Sequence, residues 1–325
     1  MIKSLALELL QISEQAAIAS YPFIGSGDKN GADDAATTVM RDGLNALPID
    51  AKVVIGEGEL DEAPMLHINE SLGQGGLPVD IAVDPIEGTV LTVNNQSNAL
   101  TTLALAPRGT LLHAPDMYME KLAVGPKGKG VVDINLSIET NLNRLSSALK
   151  KEVRELNVAI QNRPRHETLI KRIRMCGAKV QLFDEGDVTY ALATAMEHTG
   201  IDLFIGIGGA PEGVVAAVGL KCLGGQIQGK LKPISDEQVN RCLMMGITDV
   251  DTTLEHDDLV SSDDCIFVGT GITDSIIMRG VKLDKDAVYQ TESLLLSSQD
   301  RHSRLIKASY LKSAVQSLSL TSSYT

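Results

Sequence analysis

Val79-Asp80-Ile81-Ala82-Val83-Asp84-Pro85-Ile86-Glu87-Gly88-Thr89 is an apolar run that ends on a carboxylate and a proline. Val79 to Val83 reads as a strand that breaks at Asp84-Pro85 and delivers an acidic loop at its C-terminal end. Turn chemistry alone explains three of the next six residues, since Asp, Pro and Gly are all turn formers. The same residues also suit a site. Two carboxylates three residues apart, with Pro85 fixing the turn between them, can bridge a pair of cations. Gly88 lets the backbone approach a phosphate closely, and Thr89 adds a hydroxyl beside it. Taken alone, the two readings are even.

Other loops repeat the pattern. Lys52 to Ile55 is a short β-branched run that breaks into Gly56-Glu57-Gly58-Glu59-Leu60-Asp61-Glu62. An isolated acidic run is usually a solvated loop. Here a second acidic loop also leaves a strand, and open α/β sheets place ligands at such strand ends, so the two loops can converge on one set of metals. Gly27 to Asp33 is a third glycine-spaced loop, set at a helix start; alone, Asp33 reads as an N-cap. Gly206-Ile207-Gly208-Gly209-Ala210-Pro211-Glu212-Gly213 lies between a strand and an apolar helix. Pro211 and Glu212 sit where a pyrophosphate would have to meet amides, so a dinucleotide loop is a poor reading. A phosphate on the Gly208 and Gly209 amides, with Glu212 reaching a metal, fits better.

Basic residues are scarce near these loops, which sets off Arg163-Pro164-Arg165-His166. Arginine pairs with phosphate through two parallel hydrogen bonds, making these candidates for a second, distal phosphate. The alternative is a set of solvated residues opening a helix, with His166 structural. Asp184-Glu185-Gly186-Asp187 suits either sugar hydroxyls or the cap of the following helix, and both readings stand.

Around these loops the chain reads as α/β. Ile2, Leu5, Leu9, Ile12 and Ala16 share one face of an opening helix that stops before Pro22, and Asp33 to Leu47 forms a second helix ended by Pro48. From Asn157 strands at 158–161, 180–183 and 203–207 alternate with helices at 166–176 and 188–196, implying a partly parallel sheet. The charged helical stretch 142–156 is the expected join between a metal-binding domain, 1–155, and a second α/β domain, 156–325, that completes the substrate site. The Ser/Thr-rich stretch 313–325 is expected to fray.

With 325 residues the chain can build two domains or one large layered unit. Only 3% of it is aromatic and it has no Trp, so Leu, Ile, Val, Ala and Met must fill the core. A net charge of -13 repels phosphodiester backbones and anionic lipid, arguing against nucleic-acid and membrane partners. An acidic protein handling an anionic substrate needs cations in between. Four scattered cysteines suggest neither a zinc ribbon nor a disulfide framework. Residues 1–21 do not resemble a secretory signal, no stretch is apolar enough to span a bilayer, and the expected location is cytoplasmic. A homodimer is the expected assembly, from the prevalence of twofold oligomers.

In order along nearly the whole chain, 27–33, 54–65, 79–89, 114–126, 163–166 and 206–215 resemble the class II fructose-1,6-bisphosphatases. Residues 84–89 are also similar to the signature of the wider lithium-sensitive, magnesium-dependent phosphomonoesterases. The resemblance implies a layered αβαβα sandwich of the sugar-phosphatase type with mixed sheets. It implies two or more Mn²⁺ or Mg²⁺ ions held by Asp33, Glu57, Asp84, Glu87 and Glu212. Glu87, Gly88 and Thr89 would meet the substrate at its scissile 1-phosphate, and Tyr118 would also touch it. Arg163, Pro164 and Arg165 would lie near the distal phosphate, with Glu185, Gly186, Asp187 and Gly209 along the sugar. Two departures stand out: Glu185 where the family commonly has Asp, and a shorter stretch at 231–239. The implied reaction is attack by a metal-activated water in line with the departing sugar oxygen, with Asp61 and Thr89 orienting or deprotonating that water. Sedoheptulose-1,7-bisphosphate, an inositol monophosphate or a phosphonucleotide are alternative substrates. A non-catalytic sugar-phosphate-binding protein is the alternative of another class.

Overall fold

The structure is a computed structural model and describes residues 2–58, 65–247, 249–299 and 302–313. Along the chain the first elements are α1 (Ala6–Ser20), α2 (Lys29–Asn45), β1 (Ile49–Ile55), β2 (Ser71–Leu72), β3 (Leu77–Glu87), α3 (Thr89–Val93) and β4 (Leu100–Pro107). Next come β5 (Tyr118–Val124), α4 (Ile138–Leu149), β6 (Asn157–Gln161), α5 (Glu167–Met175), β7 (Lys179–Phe183), α6 (Asp187–Ala193), β8 (Leu203–Gly209), α7 (Ala210–Leu223), β9 (Gln226–Leu231), α8 (Asp236–Met244) and α9 (His256–Leu259). The last are β10 (Ile266–Gly271), β11 (Lys282–Leu283), β12 (Val288–Ser297) and β13 (His302–Leu311).

The chain divides into two compact units, residues 1–109 with 264–325, and residues 110–263. This corrects the expected division after residue 155. The expected join contains α4, whose Leu142 and Leu145 are fully buried in the core of the second unit. The boundary falls elsewhere because β10 returns to pair antiparallel with β4, from Ile266 opposite Leu105 to Gly271 opposite Leu100. The last strands therefore extend the first sheet.

In the first unit that sheet runs β11-β12-β10-β4-β3-β1-β2, with β13 added on β12. It is mixed, because β1 and β3 are parallel while their neighbours are antiparallel. Leu9, Ile12 and Ala16 of α1 and Ala36 and Met40 of α2 bury against Val53, Ile81, Leu103 and Val268. α1 ends at Ser20, two residues before Pro22, as expected. α2 begins earlier than expected. Asp28 caps it by accepting the Gly31 N–H at 3.0 Å, so Asp33 is not the N-cap but lies inside the helix. β3 also runs further than expected, through Pro85 to Glu87. Its register against β4 shifts between Asp84 and Glu87, an irregularity that absorbs a residue with no N–H to give. Glu14 of α1 is buried among hydroxyls that donate to it: Thr291 at 3.1 Å and Ser293 at 3.2 Å from β12, and Tyr310 from β13.

The second unit carries the strand order β7-β6-β8-β5-β9. β6 is parallel to β7 and β8, while β5 runs antiparallel to β8 and β9. The alternation read from residue 157 onward is thus present, and the class is α/β with mixed sheets. Ile170 and Ile173 of α5 join the α4 leucines over Val158, Ile160, Leu203 and Ile205. On α7, Gly213 lies close to Met119 and Lys121 of β5. Within 231–239, residues 232–235 link β9 to α8, and Ser235 caps α8 by accepting the Gln238 N–H. Among the described residues, no helix is long and apolar enough to cross a membrane.

His256, 6% exposed, opens α9 and accepts the Ile227 N–H on Nδ1 at 3.1 Å. Burial, reinforced by the charge of Lys221, pushes its imidazole from 6.5 down to about 4. Below pH 6.5 the unfolded chain takes up a proton that the folded chain refuses until about 4. Stability from this group is therefore fully present above 6.5 and is lost as pH falls toward about 4, amounting to roughly 3 kcal/mol. His256→Gln should flatten the acid limb of urea-unfolding midpoints measured between pH 4 and 7. A limb of unchanged steepness would assign the acid sensitivity to other groups.

Candidate active site

In the first unit, four candidate metal ligands come from just past β1, from the end of β3 and from α2, with Gly88 and Thr89 following β3. The β3 irregularity turns the chain so that the Ile86 N–H binds the Asp84 carboxylate at 3.0 Å, while Glu87 is 4% exposed. Gly88 follows at φ 87, a left-handed conformation that a side chain would strain, and it leads into α3 at Thr89. The Thr89 hydroxyl donates to Asp33 at 2.8 Å, which joins the third glycine-spaced loop to the Asp84–Thr89 motif. Burial raises the Asp33 pKa, and the hydrogen bond from Thr89 works against it. Glu57, just past β1, still meets solvent, yet crowding by surrounding protein and then the charge of Asp33 push its carboxyl up to about 7. Glu59 to Glu62, including the candidate base Asp61, lie outside the described residues.

In the second unit, the candidates gather where β8 meets α7, where β6 meets α5, and at the start of α6. Gly209 ends β8, and Glu212 lies in the first turn of α7. The Glu212 Oε2 is shut off from solvent and has no hydrogen-bond partner among the described residues. Burial raises the Glu212 pKa, Lys121 opposes the shift, and Asp187 reinforces it. Asp187 opens α6 after Gly186, whose φ is 109. Lys121, 1% exposed, binds the Asp187 Oδ2 at 2.6 Å and donates to the Gly209 carbonyl at 2.7 Å.

The arginine cluster splits into different tasks. Arg165 donates to the Ile207 carbonyl through Nε at 2.9 Å and through Nη2 at 2.6 Å, and Nη2 also reaches Gln161 Oε1 at 2.6 Å. Its guanidinium carbon lies 5.0 Å from the ring centre of Tyr118, which is 45% exposed. Arg163 approaches Glu185 at 3.8 Å. Pro164 is exposed and begins the short turn into α5. His166 is structural: its Nδ1 donates to the Gln161 carbonyl at 2.8 Å, and its Nε2 accepts the Ile207 N–H at 2.8 Å. Burial lowers its pKa, in keeping with a neutral ring in that tautomer.

The structure thus joins Asp33 to Thr89 in one unit, and Asp187, Gly209 and Glu212 around Lys121 in the other. Reading by loops missed Lys121, because it sits inside strand β5 rather than in a loop. The available signal was weak: Lys121 opens onto the apolar run Leu122-Ala123-Val124, but Glu120 beside it makes an exposed charged pair the natural reading. Among the described residues, no three His, Cys, Asp or Glu side chains stand together closely enough to hold a cation by themselves. The donors offered by the candidate set are all carboxylate oxygens, which suit hard cations such as Mg²⁺ and Mn²⁺. The unpartnered Glu212 oxygen and the crowded Glu57 carboxyl both fit such a cation.

Residues 3–310 match the family of bacterial, glpX-encoded fructose-1,6-bisphosphatases. The chain belongs to that family. It is 43% identical over 322 residues to a class 2 fructose-1,6-bisphosphatase of Haemophilus influenzae, covering 95% of this chain and 96% of that protein. An Escherichia coli protein named fructose-1,6-bisphosphatase 1 class 2 is also 43% identical, with 95% of each chain covered. So is a Prochlorococcus marinus protein named D-fructose 1,6-bisphosphatase class 2/sedoheptulose 1,7-bisphosphatase, over 98% of this chain and all of that one. Among solved structures, an extragenic suppressor from Pyrococcus furiosus aligns with a TM-score of 0.33 and 14% identity over 60% of this chain and 72% of that one. That likeness is too distant to carry an inference.

An added Cβ at Gly209 would stand 1.9 Å from the Glu212 Oε2. Gly209→Ala should therefore displace that carboxylate and lower turnover about 100-fold, as misplacement by about an ångström does. Activity within threefold of the wild type, measured at saturating divalent cation, would mean that Glu212 tolerates the shift.

Proposed function

We propose that the protein is a divalent-metal-dependent class II fructose-1,6-bisphosphatase that removes the 1-phosphate to give fructose 6-phosphate and inorganic phosphate. The family match across residues 3–310 carries this reading. The cytoplasmic setting and the homodimer expected from the sequence belong to the same proposal.

Asp33, Glu57, Asp84, Glu87 and Glu212 would hold the cations. Bound there, two or more Mn²⁺ or Mg²⁺ ions would neutralise charge on the phosphoryl group and make water more acidic. The chain's own residues then have defined tasks. Thr89 gives its hydrogen to Asp33, leaving lone pairs on its oxygen to accept a hydrogen bond from the attacking water. Asp61 is the proposed partner in orienting or deprotonating that water. The Gly88 backbone approaches the scissile phosphate. Arg163 takes the distal phosphate. Arg165 is already bonded to Ile207 and Gln161, so it supports Tyr118 against the substrate and offers its remaining N–H groups to that phosphate. Glu185, Gly186, Asp187 and Gly209 line the sugar.

Phosphate release from a panel of sugar phosphates, with Mn²⁺, with Mg²⁺ and with chelator, tests the reading. The expected result is cation-dependent release from fructose 1,6-bisphosphate. Release from sedoheptulose 1,7-bisphosphate alone would favour the second reading, which the name of the Prochlorococcus relative supports. An absence of release from every ester would favour a binding protein. Asp61→Ala should lower kcat by about 100-fold or more while KM moves little. Equal losses in kcat and in substrate affinity would remove Asp61 from the chemical step.

A further inference from the structure

Lys121 occupies a position where a charge is costly. It lies in mid-strand on β5, 1% exposed, opposite Gly206 of β8 on one side and Gly229 of β9 on the other. An ammonium in such a place is tolerated only when paired and hydrogen-bonded. Its side chain runs past glycines that leave it room. A Cβ at Gly213 would stand 3.3 Å from its Cδ, and one at Gly208 would stand 3.1 Å from its Nζ and 2.0 Å from the Asp187 Oδ2.

The ammonium is held by the Asp187 carboxylate and the Gly209 carbonyl, which come from different elements. One opens α6; the other closes β8 just before α7. Fixing one carboxylate oxygen on a buried ammonium sets the direction of the other. A flexible carboxylate at the start of a helix would otherwise sample several rotamers and bind sugar hydroxyls less well. The Gly209 carbonyl pins the ammonium, which cannot follow Asp187 if that side chain turns away.

We infer that Lys121 is a positioning residue that orients Asp187 toward the sugar of the substrate. The inference rests on the proposed role of Asp187 and adds Lys121 to that site. Lys121 acts through Asp187 and touches no reacting atom. A buried pair of this kind also costs stability when only one partner is removed, because the other charge is left unpaired. Loss of folding by itself would therefore not separate a positioning role from a structural one.

A double-mutant cycle on the full chain separates them. Lys121→Met, Asp187→Asn and the double variant are compared for kcat and KM with fructose 1,6-bisphosphate, alongside thermal midpoints. Each single variant should raise KM about tenfold or more, with kcat falling less, and the double variant should stay within about threefold of Asp187→Asn. Inhibition by inorganic phosphate, which carries no sugar hydroxyls, should stay within about threefold of wild type in Lys121→Met. Multiplying KM effects in the double variant, or parallel weakening of phosphate and sugar phosphate, would overturn the inference. If Lys121→Met fails to fold, the double variant removes both charges together, and its comparison with Asp187→Asn alone decides the matter. A wild type that releases no phosphate from this substrate would sink the proposed function instead. The cycle would then be read from fructose 1,6-bisphosphate binding by calorimetry.

Discussion

A carboxylate surrounded by protein must find a cation, a set of hydrogen-bond donors, or a proton. The acidic groups of this protein follow all three routes. Glu14 takes three hydroxyls, and in doing so ties α1 to β12 and β13. Asp187 takes the ammonium of Lys121, which links the start of α6 to the junction of β8 and α7. Glu57, exposed at its residue surface but with its carboxyl close to surrounding protein and to the charge of Asp33, has its pKa pushed up to about 7 and leans toward a proton near neutral pH. A group that holds a proton so readily is also one that a divalent cation relieves, because the cation displaces the proton and supplies the missing charge.

Local patterns in the sequence announced the parts that depend on neighbours in the chain. The strand-to-loop junction at Ile55 and the alternation of strands and helices from Asn157 could be read from composition and spacing. The register shift that carries β3 through Pro85 could not, since a break and a bulge look alike in one dimension. The sequence offered Asp33 as the cap of α2. Asp28 took the role because its side chain reaches the Gly31 N–H, which left Asp33 for Thr89. The unit boundary was hidden because it depends on β10 pairing with β4, and no local period reports a pairing across more than 150 residues. Lys121 was hidden by its neighbours: a lysine is read as exposed unless the fold supplies an anion.

The departure at Glu185 acquires a physical setting from Arg163, 3.8 Å away. An aspartate would be one methylene shorter, so the added reach changes how strongly this carboxylate competes for the guanidinium. Arginine that is held loosely by a neighbouring carboxylate can exchange it for a phosphate, whereas Arg165 is held by a carbonyl and an amide oxygen that no ligand displaces without leaving them unsatisfied. The two arginines of one short motif thus differ in availability, although their spacing gives no hint of it.

The return of the last strands to the first sheet has a bearing on how the chain emerges during synthesis. Glu14 receives its donors from Thr291, Ser293 and Tyr310, which the ribosome adds nearly the whole length of the chain later. At roughly 5–20 residues per second, that gap lasts on the order of tens of seconds. Residues 110–263 can assemble in the meantime as an insertion between two halves of an unfinished sheet. Until β10 arrives, the outer edge of β4 has backbone groups without their final ladder partners, and that edge is where a nascent chain of this architecture is most open to a chaperone or to a neighbouring nascent chain.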